Sequence, residues 1–491
     1  MSSRGPLVGD ADLLQVMRGF NPWWQGQGVP GARPYRRVAY YEATRWLYRD
    51  DVRRAVLLSG ARRVGKTTIL YQLAQQAMRD GLSPRDCLYL SFDHPLLKLA
   101  SLDRLIDLYR SQVAAGAPQM VLLLDEIQYA ADWATWLKWL VDQTPNARIA
   151  ATGSASTVLR AQGQESGAGR WLELSVPTLS FFEYAHLCGL AVPDLSKEVI
   201  PTRLAQLSTA QAEEVLDLCL PLRPHLPRYL LQGGFPEAAL ADDLASAQRI
   251  VREDVVDRVL KRDMTALYGI RSVLELERLF VYCCLNSGGM LAQERVASEL
   301  GVSRTTVGNL LAALEAAHLI YRCLPVEIGG KKSLKPRTKV YLADSGIRGA
   351  VLLRGEEALT DPVEAGLVIE TAVYQHVYAF YYAQRPQIGY WRADGGHHEV
   401  DVVVARPGRW RIAIEVKYRE GLPDRLLGLD ALARTESLTS ALLVTKHPSQ
   451  FGFLRPRDRE GPFQVPAFLF LYLLGHAERR AVDDPMIGYA I

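Results

Sequence analysis

A chain of 491 residues is too long for one hydrophobic core, and at about 150 residues per domain it predicts roughly three units. Apolar content of 48% with 23% charged residues is that of a globular protein and excludes disordered and fibrous classes. A net charge of +3 is too small for a basic surface overall, so any contact with nucleic acid must be local. The six cysteines are scattered without a C-x-x-C pair, which excludes a zinc ribbon and predicts buried thiols in a reducing compartment. The start, Met-Ser-Ser-Arg-Gly-Pro-Leu, has no signal-peptide apolar region, and the longest apolar run, 465–474, is about half a membrane span. A cytoplasmic protein without membrane contact is expected.

In chain order, residues 1–48 form an N-terminal extension whose Trp23 and Trp24 are expected to dock onto the unit that follows. The apolar run 55–58 then leads into Gly60-Ala61-Arg62-Arg63-Val64-Gly65-Lys66-Thr67-Thr68, followed by a helical pattern. Strand, glycine-framed loop and helix are the context in which G-x-x-x-x-G-K-[ST] binds nucleotide. The loop's N–H groups face phosphate, Lys66 reaches the β- and γ-phosphates, and the Thr67 hydroxyl binds Mg²⁺. Arg62 and Arg63 lie in the same loop. ATP with Mg²⁺ is the expected cofactor.

Apolar runs at 88–92, 121–124, 148–151 and 171–174 alternate with helical stretches, which predicts a parallel sheet covered by helices. The second run ends Asp125-Glu126, placing two acids at the carboxyl end of a buried strand, where ligands of open α/β sheets bind. Asp125 is expected to hold Mg²⁺ through water, and Glu126 to orient or deprotonate the attacking water. The third run ends Ala-Thr152-Gly-Ser154; a hydroxyl there could sense the γ-phosphate, with Ser154 favoured over Thr152, although either could cap a helix. Arg170, before the last strand, is either a group reaching a neighbouring subunit's γ-phosphate, which requires a ring, or half of a surface ion pair.

Residues 191–270 read as helical. Helical patterns at 273–285, 291–300 and 303–318, the last two joined at Gly301-Val302, have helix-turn-helix spacing, with Arg304, Thr305, Thr306 and Asn309 on the leading turns of the third. Strand-like runs at 319–326 and 339–342 bracket a basic loop with Lys331, Lys332, Lys335 and Arg337, the signature of a winged helix. Four of the chain's 11 lysines (331, 332, 335, 339) fall in or beside that loop, as a phosphate-contacting arm requires. The last unit has a helix carrying Glu370, strands carrying Asp401 and Glu415-Val416-Lys417, a helix at 423–433 and a strand at 441–445. Asp401 and Glu415 on neighbouring strands can share a divalent cation with Glu370, while Lys417, on the Glu415 face, could position hydroxide or steady a pentavalent phosphate.

The phosphate loop, Leu-Leu-Asp-Glu-Ile-Gln, Ala-Thr-Gly-Ser-Ala-Ser, Leu-Ser-Phe-Phe-Glu-Tyr, Gly-Gly-Phe-Pro-Glu, Tyr-Leu-Ala-Asp-Ser-Gly, His-Glu-Val-Asp and Ile-Glu-Val-Lys together resemble the prokaryotic AAA-type, archaeal-ATPase-like (AAA_14) proteins with a C-terminal DUF4143 domain. The resemblance covers roughly residues 40–450. It implies an α/β multidomain protein: a P-loop ASCE/AAA+ core at 49–190, a helical lid or connector at 191–271, a winged helix at 272–345 and a PD-(D/E)xK nuclease-like domain at 346–491. The expected function is an ATPase that binds and remodels or translocates along duplex or branched DNA, as a homo-oligomer, ring or hexamer. Two alternatives stand beside it: an ATP-dependent switch with a non-cleaving docking domain, and an ATP-gated defence nuclease.

Overall fold

The computed structural model describes residues 8–153, 169–265, 270, 272–326, 337–393, 398–406, 410–421, 425–455 and 460–489. It divides into two compact units, Met1–Val176 and Pro177–Ile491. Among the described residues no helix is long and apolar enough to cross a membrane.

Unit 1 is built on five parallel strands: β1 (Ala55–Ser59), β2 (Cys87–Ser91), β3 (Met120–Asp125), β4 (Ala147–Gly153) and β5 (Trp171–Ser175), in the order β2-β3-β4-β1-β5. The run Val121–Leu124 is buried at every position, as a strand covered by helices on both faces must be. All strand ends carrying site residues therefore point the same way. The glycines of the phosphate loop have separate reasons. A Cβ on Gly60 would stand 2.3 Å from the Val176 carbonyl, and Gly65 has φ +94°.

The extension docks on the β2 edge. Asn21 donates from Nδ2 to the Tyr89 carbonyl (2.8 Å) and accepts the Tyr89 N–H on Oδ1 (2.7 Å). Both indole N–H groups, of Trp23 and Trp24, donate to the Cys87 carbonyl at 3.0 and 2.9 Å. These side chains satisfy edge groups that a further strand would otherwise pair.

Unit 2 holds one nine-stranded mixed sheet. Its strands are β6 (Met290–Leu291), β7 (Ile320–Pro325), β8 (Thr338–Leu342), β9 (Gln387–Arg392), β10 (Glu399–Arg406), β11 (Trp410–Lys417), β12 (Ser440–Thr445), β13 (Gly452–Arg455) and β14 (Glu460–Pro466). The order is β13-β14-β12-β11-β10-β9-β7-β8-β6. The winged-helix strands and the C-terminal strands thus share a sheet, joined where β7 pairs in parallel with β9, Leu324 opposite Gly389. Gly389 permits that junction, because a Cβ there would lie 2.0 Å from the Leu324 carbonyl. The sequence border at 345/346 therefore cuts through a continuous sheet.

The border at 190 also moves. Ser180 caps the helix Phe181–Leu187 in a capping box with Glu183, and the Phe181 N–H donates to His376 Nε2 (2.9 Å). The Leu-Ser-Phe-Phe-Glu-Tyr segment, expected in the ATPase core, belongs to the core of unit 2, where Phe181 and Phe182 pack against Tyr472 of the helix Ala467–Asp483. Gly233 and Gly234 of the Gly-Gly-Phe-Pro-Glu segment serve packing as well. Asp344 accepts the Gly234 N–H (2.8 Å) and the Gly346 N–H (2.9 Å), and a Cβ on Gly233 would stand 2.1 Å from Asp344 Oδ1. Several segments that carry the resemblance are therefore structural.

Candidate nucleotide site and C-terminal acid cluster

In unit 1 the phosphate loop runs from the end of β1 into the helix Lys66–Arg79. Lys66, 7% exposed, donates to the carbonyls of Gly60 (2.9 Å) and Ala61 (2.8 Å), which keeps its ammonium in the curl of the loop. Val64 is fully buried, and its carbonyl accepts from Arg37 (2.7 Å) in the extension. Arg62 turns to the Tyr129 hydroxyl (3.2 Å), while Arg63 is exposed at φ +64°. Thr67 and Thr68 stand on the first turn of the helix, whose N-terminal N–H groups favour phosphate.

Asp125, at the end of β3, is 4% exposed and receives three hydroxyls. Thr67 and Tyr89 donate to Oδ2 at 2.9 and 2.8 Å, and Thr152 donates to Oδ1 at 2.5 Å. Burial, then the neighbouring Glu126 charge, pushes the Asp125 carboxyl above its ordinary range, and the three hydroxyls act against that rise. The donor set fits Mg²⁺: Thr67 gives its proton to Asp125, leaving oxygen lone pairs for a cation. Glu126 has φ +54°, unusual outside glycine, with its N–H donated to Thr152 Oγ1 (2.9 Å) and Oε2 accepting from the Gln128 amide. Thr152 thus links both acids from the tip of β4. Ser154 lies outside the described residues. Arg170 pairs with Asp142 (2.8 Å), the surface ion pair of the two sequence readings.

In unit 2, Asp401 on β10 lies one step beyond the Val402–Ile414 pair and so opposite Glu415 on β11. Its Oδ2 accepts the Val416 N–H (2.9 Å). Glu415 Oε1 receives Lys417 Nζ (2.5 Å), whereas the buried Oε2 has no hydrogen-bond partner among the described residues. Glu370, on the helix Pro362–Tyr381, points to the same cluster but is engaged elsewhere. Its Oε1 receives the Tyr341 hydroxyl (2.6 Å) and lies 3.7 Å from Lys339 Nζ. Lys339 also meets Glu399 Oε1 (2.5 Å), and Arg392 stands 3.6 Å from Glu399 Oε2.

This corrects two expectations. Lys339, counted with the basic wing, has a side chain only 4% exposed: β8 is buried at every position, and period-2 alternation puts Lys339 on the face of Tyr341. A site shared by Glu370, Asp401 and Glu415 does not fit, since Glu370 already has Lys339 and Tyr341. No group of three or more His, Cys, Asp or Glu among the described residues is arranged to hold a metal. What remains is the Asp401–Glu415 pair with one orphaned oxygen, Glu415 Oε2. Burial, then Asp401, raises the carboxyls of Glu370 and Glu415 to about 7. Burial weighs against the charge of Lys339, but Glu370, Asp401 and Glu399 outweigh it and hold the amine above the usual lysine value. The sequence signal for Lys339 and Glu399 was their alternation with Tyr341 and Asp401; only the β7–β9 junction brings them together.

The helix-turn-helix comprises the helices Gln293–Leu300 and Arg304–Ala316. The first starts later than expected, because Met290 and Leu291 form β6 against β8. Arg304, Thr305 and Asn309 are exposed, with Arg304 paired to Glu294 (2.8 Å). Thr306 is committed to the cap instead: its N–H and hydroxyl both bond Ser303 Oγ, at 3.0 and 2.9 Å. Arg304, Arg337 and Glu294 line a concavity of about 590 Å³. Lys331, Lys332 and Lys335 lie outside the described residues.

Three family models match parts of the chain. Residues 52–185 match the family model of an AAA domain, 223–358 a domain of unknown function, DUF8612, and 365–455 another, DUF4143. The chain is 28% identical over 376 residues to "Uncharacterized protein MJ1637" of Methanocaldococcus jannaschii, covering 75% of this chain and 76% of the relative. It is 24% identical over 300 residues to an uncharacterized protein of Haemophilus influenzae, covering 60% and 68%. Among solved structures, AMPPCP-bound DnaA from Aquifex aeolicus aligns with 60% of this chain and 92% of its own at 16% identity, with a TM-score of 0.25. An Hsp104:casein complex from S. cerevisiae aligns over 57% and 48% at 16% identity, with a TM-score of 0.26. Superpositions that low carry no argument about function. With an AAA domain at 52–185, on a sheet that gathers Lys66, Thr67, Asp125 and Glu126 at its strand ends, and a DUF4143 domain at 365–455, the chain is an AAA-type ATPase with a C-terminal DUF4143 domain.

Proposed function

We propose that the ATPase of unit 1 drives work on DNA held by unit 2, remodelling it or moving along it, in a homo-oligomeric ring. In the nucleotide site Lys66 neutralises the β- and γ-phosphates, and Glu126, steadied by Gln128 and Thr152, aligns the attacking water. Thr67 and Asp125 hold Mg²⁺, which supplies charge neutralisation at the transferred phosphoryl group. Arg170 serves a neighbouring subunit by exchanging its exposed pair with Asp142 for the γ-phosphate, and Ser154 senses that phosphate.

The observation that supports DNA as the substrate is the concavity shared by Arg304 and Arg337, at the leading turn of the recognition helix and at the end of the lysine-rich wing. Thr305 and Asn309 lie on the same exposed helix start and would meet base edges or phosphates. Lys331, Lys332 and Lys335, close to Arg337 in sequence, would add phosphate contacts. In the C-terminal centre, Asp401 and Glu415 would take one Mg²⁺, with Lys417 beside Glu415. The pairing of Lys339 with Glu370 and Glu399 favours a second reading for that centre, DNA docking without cleavage, over an ATP-gated defence nuclease.

The test is steady-state ATPase activity with and without duplex or branched DNA, with Glu126→Gln as the control that binds ATP without turning it over. DNA should raise turnover. Replacing Lys331, Lys332 and Lys335 by alanine should lower the salt slope of DNA binding by about 0.9 per lost phosphate contact. Slow hydrolysis indifferent to DNA would replace the motor by a nucleotide-dependent switch.

A further inference from the structure

We infer that Tyr89, which lies in none of the nucleotide-binding motifs, is a positioning residue for the cation-holding carboxylate, and that the N-terminal extension holds it in place. Tyr89 is 2% exposed on β2, and its hydroxyl donates to Asp125 Oδ2 at 2.8 Å. The same oxygen accepts from Thr67 Oγ1, while Oδ1 accepts from Thr152. Two donors on one oxygen and a third on the other fix the plane of the carboxylate. Remove the Tyr89 hydroxyl and Oδ2 depends on Thr67 alone, the side chain that must also face the cation. A buried carboxylate with fewer donors is a poorer anion and a less rigid ligand.

The placement of Tyr89 is determined from outside the motifs. Asn21 takes both its backbone groups, accepting from N–H at 2.7 Å and donating to C=O at 2.8 Å. Phe20 lies edge-on against its ring at 5.9 Å between centroids, and Tyr71 of the phosphate-loop helix packs on it at 4.7 Å. The extension therefore meets both halves of the nucleotide site: Arg37 at the Val64 carbonyl, and Asn21 with Phe20 at Tyr89. Residues 20–37 are part of the ATPase machinery.

The inference rests on Thr67 and Asp125 as the Mg²⁺ holders, and the experiment separates the two ideas. Affinity of the full-length protein for a fluorescent ATP analogue is measured in EDTA and in Mg²⁺, for wild type, Tyr89→Phe and Asn21→Leu. Phenylalanine keeps the ring packing and loses only the hydroxyl. The expected result for Tyr89→Phe is unchanged affinity in EDTA and an Mg²⁺-dependent gain reduced about tenfold, the factor for one hydrogen bond to a charged group. Asn21→Leu should move the gain in the same direction by less. A Tyr89→Phe gain equal to wild type would overturn the positioning role, as would equal losses in EDTA and in Mg²⁺, which mark a purely structural part. A wild type that gains nothing from Mg²⁺ would instead refute the assignment of Thr67 and Asp125.

Discussion

Carboxylates collect in the interior of both units, yet the two collections differ in what answers their charge. Asp125 is met by three hydroxyls, from Thr67, Tyr89 and Thr152. Glu370, Glu399 and Glu415 are met by ammonium groups, Lys339 from β8 and Lys417 from the strand of Glu415 itself. Hydroxyls orient an anion without cancelling it, so the first arrangement keeps its attraction for an external cation. Lysines cancel charge internally, so the second holds together without help and leaves one oxygen, Glu415 Oε2, for a newcomer. Similar residue types therefore make a site completed by a cofactor in one place and a largely self-sufficient cluster in the other.

The sharpest way to break that contrast is Lys339→Met. If the lysine supplies the neutralisation, its loss leaves Glu370 and Glu399 buried without their main cation and costs about 3–5 kcal/mol of unit 2 stability. Urea unfolding of the full chain should show one transition moved and the other unmoved. A loss below about 1 kcal/mol would mean that the acids are already protonated or find another cation.

A smaller effect should come from Glu370→Gln, read as a function of pH. Burial, then the Asp401 charge, raises the Glu370 carboxyl from an ordinary 4.5 to about 7. Between those values the folded state keeps a proton that the unfolded chain has released, so stability falls as pH rises through that window. Glutamine removes this titration. The stability of unit 2 should then fall less steeply between those pH values, by up to about 1.4 kcal/mol per pH unit, measured by urea unfolding at a series of pH values. An unchanged slope would shift the titration to another acid of the cluster.

Much of unit 1 was legible because its chemistry is local in sequence. The loop 60–68 is contiguous, and four apolar residues followed by Asp125 and Glu126 declare a buried strand and its ligand end. Tyr89 was hidden: its ring and its Asn21 clamp come from separate segments, and an aromatic residue in a β-run reads as core. In unit 2 the strands carrying Asp401 and Glu415 could be read from alternation, but register between distant strands could not. The Leu324–Gly389 junction brings Lys339 to Glu399 across 60 positions, and nothing in local composition announces it. Likewise Ser180, Gly233 and Asp344 stand out as motif residues, but only the packing shows that they cap and lock helices of unit 2.

The smallest effect is expected from Arg170→Ala. Its pair with Asp142 is more than one-third exposed on both sides and should contribute less than about 1 kcal/mol to folding. Activity should nonetheless fall if Arg170 serves a neighbour. Mixing Arg170→Ala with Lys66→Ala subunits should then restore part of the turnover, because some interfaces combine an intact arginine with an intact loop. Rings that form but never recover activity would leave Arg170 as a surface ion pair.

Asn21 also bears on where this protein can be cut. Its carboxamide imitates one residue of a sixth strand, and the two indoles close the carbonyl two positions earlier. The matched AAA domain begins at residue 52, so an expression fragment designed on that boundary discards the imitation strand. It would expose the rim of β2 as a ready template for another chain, and such a fragment should clump where the longer protein stays dispersed.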